Sequence, residues 1–97
     1  MTLEELRKLK PQIQSLARQY KIDPDSIRVF GSVARGDAKP DSDVDFLVHT
    51  QPGCSLFDLG GIYMDLQELL KKEVDVITDG GIDPILKPYI MQHVVTL

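Results

Sequence analysis

A chain of 97 residues has room for one modest hydrophobic core, so a single domain over residues 1–97 is expected. Its formal net charge of −4 speaks against a general nucleic-acid binder, which normally carries a basic face, but not against a phosphate ligand, because metal ions reverse the local field. The single cysteine, Cys54, excludes an internal disulfide and a Cys-rich zinc site and fits the cytoplasm, while no signal-like stretch opens the chain and no apolar run approaches the ~18 residues of a membrane span.

Thr2 and Glu5 form a capping box, and Leu3, Leu6, Leu9, Ile13, Leu16, Ala17 and Tyr20 follow at helical spacing. The reading is helix over 3–20, with Pro11 either kinking it or starting a second helix. Asp23-Pro24-Asp25 marks a turn, 27–30 a short strand, and Ser32 to Arg35 one helical turn. A polar loop leads to a strand over 43–49, with Val44, Phe46 and Val48 on one face. Residues 56–72 read as a helix with a stripe of Leu56, Leu59, Tyr63, Leu66, Leu69 and Leu70, which Gly60 and Gly61 weaken unless they serve close packing. A third strand over 74–78 and a turn at 79–81 come next. Asp83-Pro84 then opens a closing amphipathic helix that carries Ile85, Leu86, Tyr89, Ile90, His93 and Val94. The order α-β-β-α-β-α predicts an α/β (α+β) fold, a small mixed sheet of three or more strands with helices packed on it.

The chemistry concentrates in Gly31 to Asp45. Gly31-Ser32 sits where a strand turns into a helical turn; unpaired backbone N–H groups there favour an anion, and glycine lets a ligand approach closely. Asp43 and Asp45, two apart on a strand, project from one face with Cα atoms ~6.6 Å apart. Two such charges repel unless a hard cation such as Mg²⁺ lies between them. Asp75, between Val74 and Val76, would join them if its strand neighbours the second, and three carboxylates could serve a pair of ions. Eight residues of the segment (Gly31, Ser32, Ala34, Arg35, Gly36, Ser42, Asp43 and Asp45) would coincide by chance at a rate on the order of 10⁻⁹ to 10⁻¹⁰.

Gly-Ser, an Asp-x-Asp on the next strand and a carboxylate on a later strand resemble the signature of the DNA polymerase β-like nucleotidyltransferases. With Ala34-Arg35-Gly36 and Ser42, the segment resembles the minimal nucleotidyltransferase (MNT) branch. The resemblance implies that Asp43, Asp45 and Asp75 bind two Mg²⁺ ions and carry catalysis, with Gly31 and Ser32 gripping the phosphates of ATP. Arg35 and Ser42 are further nucleotide-binding candidates, although Arg35 equally suits a salt bridge across the 37–42 loop and Ser42 a role in shaping it. Many MNT proteins are antitoxins of HEPN-domain toxins and add AMP to a toxin tyrosine, so the resemblance implies a Mg-dependent protein adenylyltransferase in a type VII-like toxin–antitoxin pair. Larger members carry a further domain for base or acceptor, so a HEPN partner or a second copy is expected to complete the site. Two rivals are a catalytically silent antitoxin acting by binding alone and a small-molecule (antibiotic) nucleotidyltransferase. Outside the segment, His49 reads as a strand-end histidine, His93 as structural, Cys54 as incidental, and Tyr20, Tyr63 and Tyr89 as packing.

Overall fold

The computed structural model describes residues 1–97, folded as one four-stranded mixed sheet with helices. The opening helical region is two helices, α1 (Leu3–Lys8) and α2 (Lys10–Gln19), joined at Leu9. Pro11 explains the break. It lacks an N–H and its ring would strike the carbonyl four residues back, so it is accommodated in the first turn of a new helix. The capping box is formed, with Glu5 N–H donating to Thr2 Oγ1 at 3.1 Å and Thr2 N–H to Glu5 Oε1 at 3.0 Å.

Strand β1 (Arg28–Phe30) runs directly into the one-turn helix α3 (Gly31–Arg35). Strand β2 is Val44–Val48, shorter than the predicted span at both ends, so Asp43 stands one residue before it and His49 one after. Helix α4 (Leu56–Leu70) begins at a second capping box, Ser55 with Asp58, and crosses over to β3 (Val74–Thr78). Such a helical crossover is what allows β2 and β3 to lie parallel. The predicted closing helix shrinks to α5 (Lys87–Met91), preceded by Pro84 and carrying Pro88 in its first turn, and Val95–Thr96 form an unanticipated strand β4. β4 pairs antiparallel with β1, giving the order β3-β2-β1-β4. Its placement comes from distant partners. Leu97 N–H donates to Ile27 O at 3.0 Å, and Arg7 donates to the carbonyls of Thr96 at 2.8 Å and Leu97 at 3.3 Å.

Strand side chains alternate between faces. Val29, Val44, Phe46, Val48 and Val74 face α1, α2 and α4 and form the core with Leu6, Ile13, Ala17, Ile62, Leu66 and Leu70. The buried stripe of α4 therefore runs through Ile62, Leu66 and Leu70. Leu56 and Tyr63, predicted to belong to it, are exposed. Leu59 and Leu69 of the predicted stripe are partly buried against the core. Gly61 serves close packing: a Cβ there would overlap the Tyr20 ring, which packs against the bare backbone and hydrogen-bonds Asp65 at 2.5 Å. Gly60 has open space around it, so close packing explains only one of the pair. No helix is long and apolar enough to cross a membrane.

Candidate active site

The second face of the sheet carries the acidic residues. Register pairs Phe30 with Asp45 across β1–β2, and Asp45 with Asp75 across β2–β3. Residues directly opposite share a face, so Asp45 and Asp75 are lateral neighbours ~4.8 Å apart at the backbone. This is the pairing that the sequence-based reading required of Asp75. Asp43 is exposed just ahead of β2, at the end of a loop that Ser42 fastens: Lys39 N–H donates to Ser42 Oγ at 2.9 Å, and Ser42 N–H returns to Lys39 O at 3.0 Å. Ser42 thus has a visible loop-shaping bond.

Gly31 adopts φ +71°, the left-handed region that a residue with a Cβ avoids. A Cβ there would also overlap Asp45 Oδ2, so the turn and the acid are packed against each other. Phe30, the residue before α3, offers no side-chain cap, and the first N–H groups of the turn are left to other partners. Ser32, half-buried, follows Gly31 on the same turn. The turn is closed behind by Gly36, whose N–H reaches Ser32 O and Val33 O at 3.0 and 3.2 Å. Arg35 pairs with Asp37 at 3.3 Å, both exposed, at the start of the 37–42 loop and not across it, and such a pair holds the guanidinium only weakly.

The electrostatics of the patch are strained. Partial burial, then the neighbouring charges of Asp75 and Asp43, push Asp45 up from 3.8 to about 6, while Arg35 pulls the other way. As the side chains stand, no three carboxylate, imidazole or thiolate groups surround one point closely enough to enclose an ion. The donor set still fits Mg²⁺. It consists of hard carboxylate oxygens with no thiolate or imidazole among them, and its under-compensated charge is what a divalent cation relieves.

Some residues lie elsewhere than the sequence suggested. His49 donates from Nδ1 to the Asp79 carboxylate, both of whose oxygens lie at 3.1 Å, and Arg28 donates to Asp79 Oδ2 at 3.1 Å. Burial pushes Asp79 up, but the bonds from His49 and Arg28 outweigh it and hold the carboxyl below its ordinary value. This cluster follows the C-terminal ends of β2 and β3, four residues or ~13 Å along the strand from Asp75. It was missed because Asp79 reads locally as a turn residue. Tyr89 and His93 also depart from expectation. Both are exposed, Tyr89 by 75%, and both line a cleft of about 330 Å³ shared with Gly31 and Arg35.

Comparison with known proteins agrees with this geometry. The nucleotidyltransferase domain model matches residues 6–96. MJ0435 of Methanocaldococcus jannaschii, to which protein adenylyltransferase activity is assigned provisionally, is 46% identical over 67 residues, covering 69% of this chain and 72% of its own. The protein adenylyltransferase MntA of Thermococcus cleftensis is 32% identical over 95 residues, covering 98% and 95%. A solved structure provisionally classed as a minimal nucleotidyltransferase superposes with a TM-score of 0.83 at 36% identity, covering 100% of this chain and 97% of that one. The Shewanella oneidensis complex of a tri-AMPylated HEPN toxin with its MNT antitoxin shares the fold, with a TM-score of 0.67 at 17% identity over 93% of this chain and 69% of that one. The sheet with two facing aspartates under a glycine turn, and a family match over nearly the whole length, place this chain in the nucleotidyltransferase domain family, as an enzyme of the minimal nucleotidyltransferase kind.

Proposed function

We propose that the chain transfers AMP from ATP to a hydroxyl, a tyrosine in the leading reading, on a partner HEPN toxin in the cytoplasm, and so acts as the antitoxin of a type VII-like pair. The observation that carries the reading is the placement of Asp45 opposite Asp75, directly beneath the Gly31 turn. Asp43, Asp45 and Asp75 are the residues that would hold two Mg²⁺ ions. When bound, Mg²⁺ neutralises triphosphate charge and eases ionisation of the attacking hydroxyl. Gly31 and Ser32 present backbone and hydroxyl donors to the phosphates, and Arg35 joins them by leaving its exposed pair with Asp37. Asp75, the exposed member of the facing pair, takes the proton of the incoming hydroxyl in this reading. The acceptor oxygen attacks the α-phosphorus, the bond to the bridging oxygen breaks, and pyrophosphate leaves. The names of MntA and of the HEPN complex support a protein acceptor. The exposure of Asp43 and Asp75 supports an acceptor that reaches the site from another molecule.

The test is an incubation with labelled ATP, Mg²⁺ and the protein encoded beside this one. Label should pass to that protein and vanish with Asp43→Ala or Asp45→Ala. Full neutralisation of the toxin by the double variant, without label transfer, would replace this reading with a silent antitoxin. Label passing to an aminoglycoside would replace it with a small-molecule enzyme.

A further inference from the structure

One cleft of the surface has no carboxylate on its wall. The chain carries 15 Asp and Glu among 97 residues, and each of the other four sizeable clefts has at least one of them: Asp65 and Glu68 in one, Asp25 in another, Glu73 in the remaining two. The exception is the cleft of about 330 Å³ between the Gly31 turn and α5. Its four polar side chains are Arg35, Tyr89, Gln92 and His93, and the rest of the lining is glycine and apolar. Every one of the four can donate a hydrogen bond, and Arg35 brings a fixed positive charge. In an acidic protein, a wall with no carboxylate and with a guanidinium held only by its exposed pair with Asp37 favours an anion.

The cleft also has a direction. At Gly31 it adjoins Asp45, whose Oδ2 occupies the space a Cβ on Gly31 would need. An anion seated there therefore continues from the acidic patch. Its volume lies in the range of small-ligand sites, at the lower end of roughly 300–1,000 Å³. The far wall is exposed and not spent on packing: Tyr89 is 75% exposed, and Gln92 and His93 are exposed too.

We propose that this cleft holds the pyrophosphate end of the nucleoside triphosphate, and that Tyr89, Gln92 and His93, from the segment around α5, are positioning residues for it opposite Arg35. The inference rests on the nucleotidyltransferase reading above and deepens it. The short C-terminal segment supplies a second wall for the nucleotide, which larger enzymes could take from an added domain. It also gives the segment from α5 to β4 a reason to fold back beside β1.

Titration calorimetry on the full chain with Mg²⁺ separates the alternatives, using inorganic pyrophosphate and AMP as two probes. Gln92→Ala and His93→Ala should each weaken pyrophosphate binding on the order of tenfold, since each removes a bond to a charged group. Tyr89→Phe, which keeps the ring, should weaken it less, and His93→Glu should weaken it most. AMP binding should stay at the wild-type level in all four. Unchanged pyrophosphate binding in the variants would overturn the proposal, as would loss of AMP binding in its place, which would mark the cleft as the base pocket. Labelled-ATP transfer by the wild type is measured alongside. Transfer that persists with pyrophosphate affinity unaltered by the substitutions sinks this inference alone, whereas absence of transfer sinks the reading beneath it. Matching thermal melts establish that the variants are folded.

Discussion

Asp45→Asn removes one negative charge from a patch where three carboxylates are gathered with little to offset them, and the ion-free protein should become more stable for it. A rise from 3.8 to about 6 is roughly two pH units, or about 3 kcal/mol at 1.36 kcal/mol per unit. Asp45 is only half-buried, and solvent screening reduces this to about 1–2 kcal/mol. The sign follows from proton linkage. The folded state binds this proton more tightly than the unfolded chain, so Asp45 adds stability below pH 3.8, and that contribution is lost as pH rises through about 6. Above pH 6 the full penalty remains, and asparagine does not incur it. For a domain of this size 1 kcal/mol is worth about 4–8 °C, so in EDTA at pH 7.5 Asp45→Asn should melt about 5–10 °C above the wild type. The gap should close as pH falls from 6 to 4. Circular-dichroism melts of both proteins from pH 4 to 8 provide the test. A variant that melts at or below the wild type at pH 7.5, or a gap that stays constant with pH, would refute the account of the patch as an electrostatically strained site.

Three more outcomes follow from the same geometry. Mg²⁺ in excess should raise the wild-type Tm at pH 7.5 and leave Asp45→Ala unmoved, because an ion that binds only the folded state stabilises it; equal shifts in scanning calorimetry would locate the ion elsewhere. Gly31→Ala forces a Cβ into a left-handed residue and against Asp45, and should cost about 1–3 kcal/mol in urea unfolding while weakening ATP binding. The adjacent glycines of α4 should respond oppositely: Gly60→Ala should stabilise by about 0.5–1 kcal/mol, while Gly61→Ala should destabilise and displace the Tyr20 ring, with near-UV circular dichroism reporting the tyrosine.

Much of the molecule could be read locally, and what could not was decided by distant contacts. β3 matches its predicted bounds because Val74–Thr78 is an apolar, β-branched run between turn residues. Gly31-Ser32 and the Asp43–Asp45 spacing were legible because their motif lies within fifteen consecutive positions. Asp75 required a strand pairing to be guessed, and the parallel register supplies it. β4 was invisible: two residues show no alternation, and their pairing is set by Ile27 and Arg7. Tyr89 and His93 were placed on a packing stripe by helical spacing, but α5 lasts only five residues and Tyr89 turns to the cleft. In α4, Leu59, Leu66, Leu69 and Leu70 were legible from helical spacing, whereas the part Gly61 plays in seating Tyr20 was not, because on paper it is only a weak helix former.

The parallel pairing of β2 with β3 has one more effect. The register that sets Asp45 opposite Asp75 also sets Val44 opposite Val74 and Phe46 opposite Val76 on the other face. Strand side chains repeat every two residues, so a slip of either strand by one position would point its carboxylate into the core and its valines into water. Chains that pair in the wrong frame are therefore unstable as well as inactive, and quality control that clears unfolded protein also clears the inactive form. A population of this chain therefore holds few molecules that are folded yet carry a misplaced carboxylate.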